Sequence, residues 1–477
     1  MMVRYCSVMK MVAALLSATA LVAASAPPSA ESGAMPWRDD PVPSTYVPLP
    51  RSDLMIRHAT ILDGAGRRID DGDILLRDGH VAAVGSGLDN PGHAREIDAR
   101  GRWVTPGVID VHSHDGTYVL PLTTIDKDSS DVAELSDMNV ADTWIETAIN
   151  TQDTGFSRAL QGGVTTIQVL PGSSPIFGGH SVILKPVRAN SVAAMKFPGA
   201  PVGMKMTCGE NPKSQGAESR RGPTSRQGVI TYIRKAFADA QDYLREVRHM
   251  DRPPEAAGRG GGGGRPPKRD MKREALAGVL SGDIKLHVHC YRADDMAMVM
   301  AVAEEFGFRI AAFHHASEAY KIPAMLRTHG ACAAVFGDWW GFKMEVQDAV
   351  RANAPLLDRA GVCTMMHSDS PASGQRLNIE AAKAASAARR AGIETPPERM
   401  ITWITSQPAH LLGLDDRIGT LAPGYNADVV LWSGNPFSIY SRPDLVLLDG
   451  GVAFDRTAPP GPPASDFELG RRAGAES

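Results

Sequence analysis

His112 and His114 stand two residues apart at the end of the apolar run Val108-Ile109-Asp110-Val111, which is entered through Pro106-Gly107. A short apolar run after such a turn reads as a buried parallel strand. Alternate side chains of a strand share a face, so both imidazoles leave its C-terminal end on the same side. Two neutral imidazoles on one face are half of a typical zinc site. A lone H-x-H is more often a pair of polar residues at a strand end. Here the pattern returns. L-H-V-H-C-Y-R carries His287 and His289, F-H-H-A-S-E carries His314 and His315, and M-H-S-D-S-P carries Asp369. Histidines and an aspartate recurring at successive strand ends are the donor types a divalent cation takes, and that recurrence favours a metal site.

Something must bring these ends together. Apolar segments at 108–111, 164–170, 181–184, 202–206, 284–289, 309–313, 331–336 and 362–366 alternate with helical patterns such as 230–247 and 296–306. Strand–helix alternation repeated in this way predicts an α/β fold, a (β/α)8 TIM-like barrel over residues 105–416. Ligands in that fold gather at the C-terminal ends of the strands, where the histidines lie. Short strands with turn residues between them precede the barrel at 55–62, 73–76, 81–84 and 96–97, and follow it at 427–432, 444–448 and 452–454. They predict a small composite β-sandwich domain built from residues 52–104 and 417–456.

Composition narrows the function classes. The chain has 477 residues, 43% hydrophobic and 22% charged, with a net charge of -4. That balance gives no basic footprint, so nucleic acid is not an expected partner. Residues 1–26 read as a cleaved signal peptide: Arg4 and Lys10 precede an apolar stretch, and Ala24-Ser25-Ala26 supplies the small-residue cut site. The stretch is shorter than the ~20 residues of a membrane span, so no stable membrane anchor is expected and the protein should be periplasmic or secreted. Residues 27–51 form an extended lead-in. Residues 252–272, with two Pro-Pro pairs and a glycine run, lack the G-K-[ST] of a phosphate loop and read as a flexible insertion. Residues 457–477 read as a disordered tail. Cys208, Cys290, Cys332 and Cys363 sit in apolar, strand-like segments and read as buried thiols, although their spacing leaves a bridge open.

The segment P-G-V-I-D-V-H-S-H, with the later H-V-H-C, H-H-A and S-D-S, resembles the amidohydrolase superfamily of metal-dependent hydrolases. The likeness covers nearly the whole mature chain. Within the superfamily it resembles the exported bacterial branch with imidazolonepropionase-like architecture, through G-G-V-T-T-I-Q-V-L-P-G-S, G-G-H-S-V-I-L-K, G-E-N-P-K, D-W-W-G-F-K-M-E-V and R-L-N-I-E-A-A-K-A. The C-terminal I-G-T-L-A-P-G-Y-N-A-D-V-V-L-W-S-G-N-P-F resembles the strand pair closing that superfamily's small β-domain.

The resemblance implies that His112 and His114 hold a first metal and that His287 and His315 hold a second. It implies that Asp369 contacts the first metal and acts as base, while His289 faces the substrate. Lys205, in G-M-K-M, matches a position where several branches carry a carboxylated lysine bridging two metals; Glu210 is a rival carboxylate. One or two Zn2+ ions are the implied cofactor. The implied reaction is hydrolysis of an amide or cyclic amide by metal-activated water; an exported dipeptidase or a deaminase would use the same site, and a non-catalytic metal-binding scaffold is the reading from another class. His289 or His180 could stabilise the developing oxyanion, Arg292 could fork a substrate carboxylate, and Trp339 and Trp340 could wall an apolar pocket. The expected partner is a small-molecule substrate, with a homo-oligomer left open.

Overall fold

The computed structural model describes residues 35–250 and 268–458. Its strands begin with β1 (Leu54–Leu62), β2 (Arg68–Arg77), β3 (His80–Gly85), β4 (Arg95–Asp98) and β5 (Trp103–Pro106). Then come β6 (Val108–Ser113), β7 (Val164–Val169), β8 (Phe177–Leu184), β9 (Gly203–Thr207), β10 (Lys285–Cys290), β11 (Ile310–His315), β12 (Cys332–Val335) and β13 (Thr364–Met366). The chain finishes with β14 (Val429–Trp432), β15 (Pro443–Leu448) and β16 (Gly451–Asp455).

The outer strands from both ends of the chain make one mixed sheet in the order β16-β15-β14-β5-β1-β2-β3, with β4 beside β1. β5 is the seam. It runs parallel to β1 and antiparallel to β14, with Val104 opposite Leu431. Ile56, Ile61, Val104, Val429, Leu431 and Leu447 share one apolar cluster, so the two chain ends are held by a common core. Gly107 turns β5 straight into β6; a Cβ there would lie 2.0 Å from Thr165 Oγ1, which leaves glycine as the residue that fits.

β6 to β13 form the second eight-stranded sheet in sequence order, and the apolar runs of the sequence fall on its strands. Among the described residues one strand departs from a regular barrel: β8 runs antiparallel to both β7 and β9. The connection at 170–176 is too short for a crossover helix, so β8 returns as a hairpin. From β9 onward each barrel strand is followed by helix, for example Glu210–Ser219, Ala293–Phe306 and Leu377–Arg390. Closure between β13 and β6 comes from Asp369 N donating to His112 O at 2.9 Å and Ser368 Oγ donating to the same oxygen at 3.2 Å. The barrel therefore closes at the histidines.

Part of the lead-in is ordered against this body. Trp37 is buried and donates from Nε1 to Asp283 Oδ2 at 2.9 Å, and Thr45 N donates to Ala193 O. Residues 1–34, 251–267 and 459–477, which carry the expected signal peptide, most of the insertion and most of the tail, lie outside the described residues. The end of the insertion is helical: Asp270 accepts from Arg273 N and caps the helix Met271–Ser281.

The cysteines correct the sequence reading. They are paired, Cys208 with Cys290 and Cys332 with Cys363, at Cα separations of 5.4 and 4.6 Å. Residues 208 and 290 end the adjacent strands β9 and β10, while 332 and 363 start the adjacent β12 and β13. Neighbouring strands bring each pair within disulfide reach, a property of the topology that linear spacing does not carry.

Candidate metal centre

On β6, Ile109 and Val111 join an apolar cluster with Leu411 and Leu412 of the helix Ser406–Leu412. The pleat then aims Asp110 and His112 the other way, with His114 following. The Asp110 carboxylate accepts from His112 N (3.1 Å) and Ser368 N (3.3 Å), tying the end of β6 to the segment after β13. Burial pushes this carboxyl up to about 7 against those hydrogen bonds.

Asp369 sits at the centre. Its Oδ1 lies 3.2 Å from His112 Nε2 and 3.3 Å from His114 Nε2, and its Oδ2 lies 3.9 Å from His315 Nδ1. His114 Nδ1 donates to the carbonyl of Leu170 at 2.9 Å, which turns Nε2 toward Asp369. His315 (φ 69°), Ala316 (φ 28°) and Asp369 (φ 52°) all have left-handed backbones. Such conformations are disfavoured for side-chain-bearing residues, and they cluster where a site dictates geometry.

His315 stacks on Tyr291 at 5.2 Å and on Phe336 at 5.1 Å. His289 packs edge-on to His315 at 4.5 Å, and both of its buried ring nitrogens lack a hydrogen-bond partner. His315 Nδ1 and His367 Nδ1 are unpartnered in the same way. Two sets of donor atoms lie within 4.8 Å of one another: His112, His315 and His367, and His112, His114 and Asp369. Buried polar nitrogens without partners are costly, and their convergence is what a metal-binding cage looks like before its ion is counted. Burial holds His112, His289, His314 and His315 well below the usual imidazole range, and takes His287 to about 3 and His367 to about 4. Neutral imidazoles are the ligating form. The residues present fit a divalent cation.

Lys205 on β9 is fully buried; its Nζ donates to Pro171 O at 2.9 Å and lies 3.4 Å from His112 Nε2. Burial lowers its pKa to about 7, against the pull of Asp369. Glu210 opens the helix Glu210–Ser219 beside Glu345, with its Oε2 buried and unpartnered, and is in neither candidate metal set.

Other expected site residues are distributed unevenly. His287 lies in a hydrogen-bonded row: its Nε2 meets Gln168 Nε2 at 3.2 Å, its Nδ1 meets His314 Nε2 at 3.0 Å, and His314 Nδ1 meets His112 Nδ1 at 3.0 Å. Both ring nitrogens of His287 are thus engaged, whereas those of His289 are free. His180 is stacked on Trp144 at 3.9 Å with Nδ1 on Thr143 O, outside either metal set. Arg292 is forked by Asp294 at the surface. Trp339 stacks on Phe336 at 4.2 Å and so reaches the site's edge, while Trp340 is 61% exposed. Tyr291, His367 and Lys343, none of them singled out from the sequence, stand around the centre. Tyr291 and His367 sit next to the H-x-H and S-D signals, which offered the one hint available.

An eight-stranded barrel with nitrogen and oxygen donors converging at its strand ends, joined to a sheet made from both chain ends, defines a class of metal-site hydrolases. Residues 103–457 match the sequence profile described as Amidohydrolase family, and the chain belongs to that family. It carries a candidate metal site of histidines and an aspartate. It is 29% identical over 449 residues to the amidohydrolase tasK of Hapsidospora irregularis, covering 90% of this chain and 43% of that protein. It is 41% identical over 70 residues to an N-acyl-D-aspartate deacylase of Alcaligenes xylosoxydans xylosoxydans, covering 15% of this chain and 14% of that protein. The chain therefore spans less than half the length of these curated relatives. A solved amidohydrolase from Thermotoga maritima MSB8 superposes with a TM-score of 0.75 at 31% identity, over 84% of this chain and 100% of that one.

Proposed function

We propose that this protein hydrolyses a carbon–nitrogen amide bond using one or two divalent ions, zinc being the best match to the donors, held by His112, His114, Lys205, His289, His315 and Asp369. The contact of Asp369 Oδ1 with His112 and His114 Nε2 at 3.2 and 3.3 Å carries this reading. His289, which packs on His315 although it belongs to neither three-residue donor set, replaces His287 in the ligand set, because its nitrogens are free and those of His287 are engaged. Lys205, brought toward its neutral amine by burial, is suited to carboxylation and hence to bridging two ions. A divalent ion bound there supplies Lewis acidity and a water acidified to about pKa 7.

The chain's own residues do the rest. Asp369 takes the proton from the attacking water and passes it to the leaving nitrogen. Its backbone N–H on His112 O fixes the carboxylate beside both β6 histidines. Stacking on Tyr291 and Phe336 restricts the His315 ring and so helps fix the direction of its nitrogens. Export is part of the same proposal: the N-terminal pattern argues for it, and disulfides persist in oxidising compartments.

The test is chelation. Protein stripped of divalent ions should lose hydrolysis of a panel of dipeptides, N-acyl amino acids and cyclic amides, and added Zn2+ should restore it. Full activity after stripping contradicts the proposal.

A further inference from the structure

The loop after β12, residues 336–350, forms one wall of the site and is held unusually firmly for a loop. Glu345 Oε1 accepts from Glu210 N and from Arg226 Nη2, both at 2.6 Å. Gly209 (φ 80°) permits that approach, since a Cβ there would lie 2.4 Å from the same oxygen. Trp340 Nε1 donates to Gln347 O at 2.8 Å. This framework fixes Lys343, whose Nζ donates to Asn211 Oδ1 at 2.6 Å and lies 4.2 Å over the Tyr291 ring. Tyr291 in turn stacks on His315, so the ammonium stands one ring away from the metal centre.

An ammonium has three N–H donors. One goes to Asn211, and Glu345 Oε2, at 3.8 Å, is beyond hydrogen-bond reach. Among the described residues the other two donors have no acceptor, although the side chain is only 19% exposed. Burial pulls this ammonium below its usual range, against the opposing pull of Glu345, Glu210 and Asp369. On the His315 side of the same loop, a cleft of about 180 Å³ is lined by His315, Phe336, Trp339 and Trp340, with Asp338 and Arg351 also in its lining.

Resting on the amide-hydrolase reading above, we propose that Lys343 is the receptor for a substrate carboxylate, and that the substrate is an N-acyl amino acid or dipeptide whose apolar group enters the Phe336–Trp339 cleft. The two open N–H donors make a seat for one carboxylate, while the face of Tyr291 holds the ammonium in position. Glu345 and Arg226 keep the loop in place, so little order is lost when the anion binds.

The test is calorimetric binding of N-acetyl-L-phenylalanine and of its uncharged amide, N-acetyl-L-phenylalaninamide, to the metal-loaded full chain and to Lys343→Met. Wild type should bind the acid at least about tenfold more tightly than the amide, the scale of a charge-assisted contact. Lys343→Met should bring the two to parity without weakening the amide, and Lys343→Arg should keep a preference for the acid. Equal binding of acid and amide by wild type, or equal weakening of both by Lys343→Met, overturns the role. If the binding preference holds but no member of the amide panel is hydrolysed, Lys343 keeps its role and the reaction class falls.

Discussion

Two lysines in this protein are buried to the same degree and do opposite work. Lys185, 1% exposed, lies between the barrel and the outer sheet, with its Nζ 2.8 Å from Asp449 Oδ1 and 3.2 Å from Asp428 Oδ2. That cluster is closed by Tyr46 OH donating to Asp449 at 2.7 Å and Asn426 Nδ2 donating at 2.8 Å. Lys205, 0% exposed, has one carbonyl and one imidazole, and the histidines around it keep unpartnered nitrogens. A buried polar cluster that satisfies itself serves structure; one left short of partners is built for something that arrives later.

That contrast can be broken from the site side first. Asp369→Asn keeps size and one oxygen, so metal content should stay near wild type while turnover falls on the order of 10²–10⁴-fold. Steady-state kinetics on whichever amide the wild type cleaves, paired with metal analysis, reads both arms; unchanged turnover would remove Asp369 from the chemistry.

The junction cluster should answer differently. Lys185→Met strands Asp428 and Asp449 without their cation and should destabilise the fold by about 3–5 kcal/mol. Denaturant unfolding of metal-free protein measures this, and metal affinity should not change. A loss of metal without a loss of stability would reverse the roles assigned to the two lysines.

Much of this was legible in the chain and some was not, for identifiable reasons. Barrel strands bury both faces, so segments such as 108–111 and 284–289 show as apolar runs, and H-x-H at a strand end declares two inward donors by parity alone. Parity does not say how deep a residue sits. His287 and His289 share a face, and only the three-dimensional row through Gln168 and His314 shows that His287 is engaged and His289 is free. The antiparallel β8 escaped because an apolar strand carries no mark of its direction. His180 rides on that strand against Trp144, and Arg292 satisfies itself on Asp294 two residues away. Lys343 escaped for the converse reason: its partner Asn211 and its ring Tyr291 come from distant segments.

The row of histidines gives a finer test. If His287 orients His112 through His314 and is not itself a ligand, His287→Leu should weaken metal binding by about 10–100-fold, the usual effect of removing an outer partner, while keeping a measurable site. Competition with a chromophoric chelator measures it. Complete loss of the metal would return His287 to the ligand set.

Lys205 offers a pH-resolved signature in metal-free protein. Its folded-state pKa of about 7 lies below the ordinary value of 10.5, so between those limits the unfolded chain binds the extra proton. Stability should therefore rise with pH across that window and be flat, with the penalty fully present, below it. Unfolding midpoints of wild type minus Lys205→Met should show that slope; a difference independent of pH would mean the buried amine is not held neutral.

The most direct test is the divalent metal content per chain of wild type and His289→Ala, by plasma emission spectroscopy after dialysis against metal-free buffer. The account predicts that wild type retains at least about one ion per chain, as a closed set of His and Asp donors should, and that His289→Ala retains clearly less. A wild type with no bound ion and chelator-insensitive hydrolysis, or a His289→Ala protein with wild-type metal content, would contradict it.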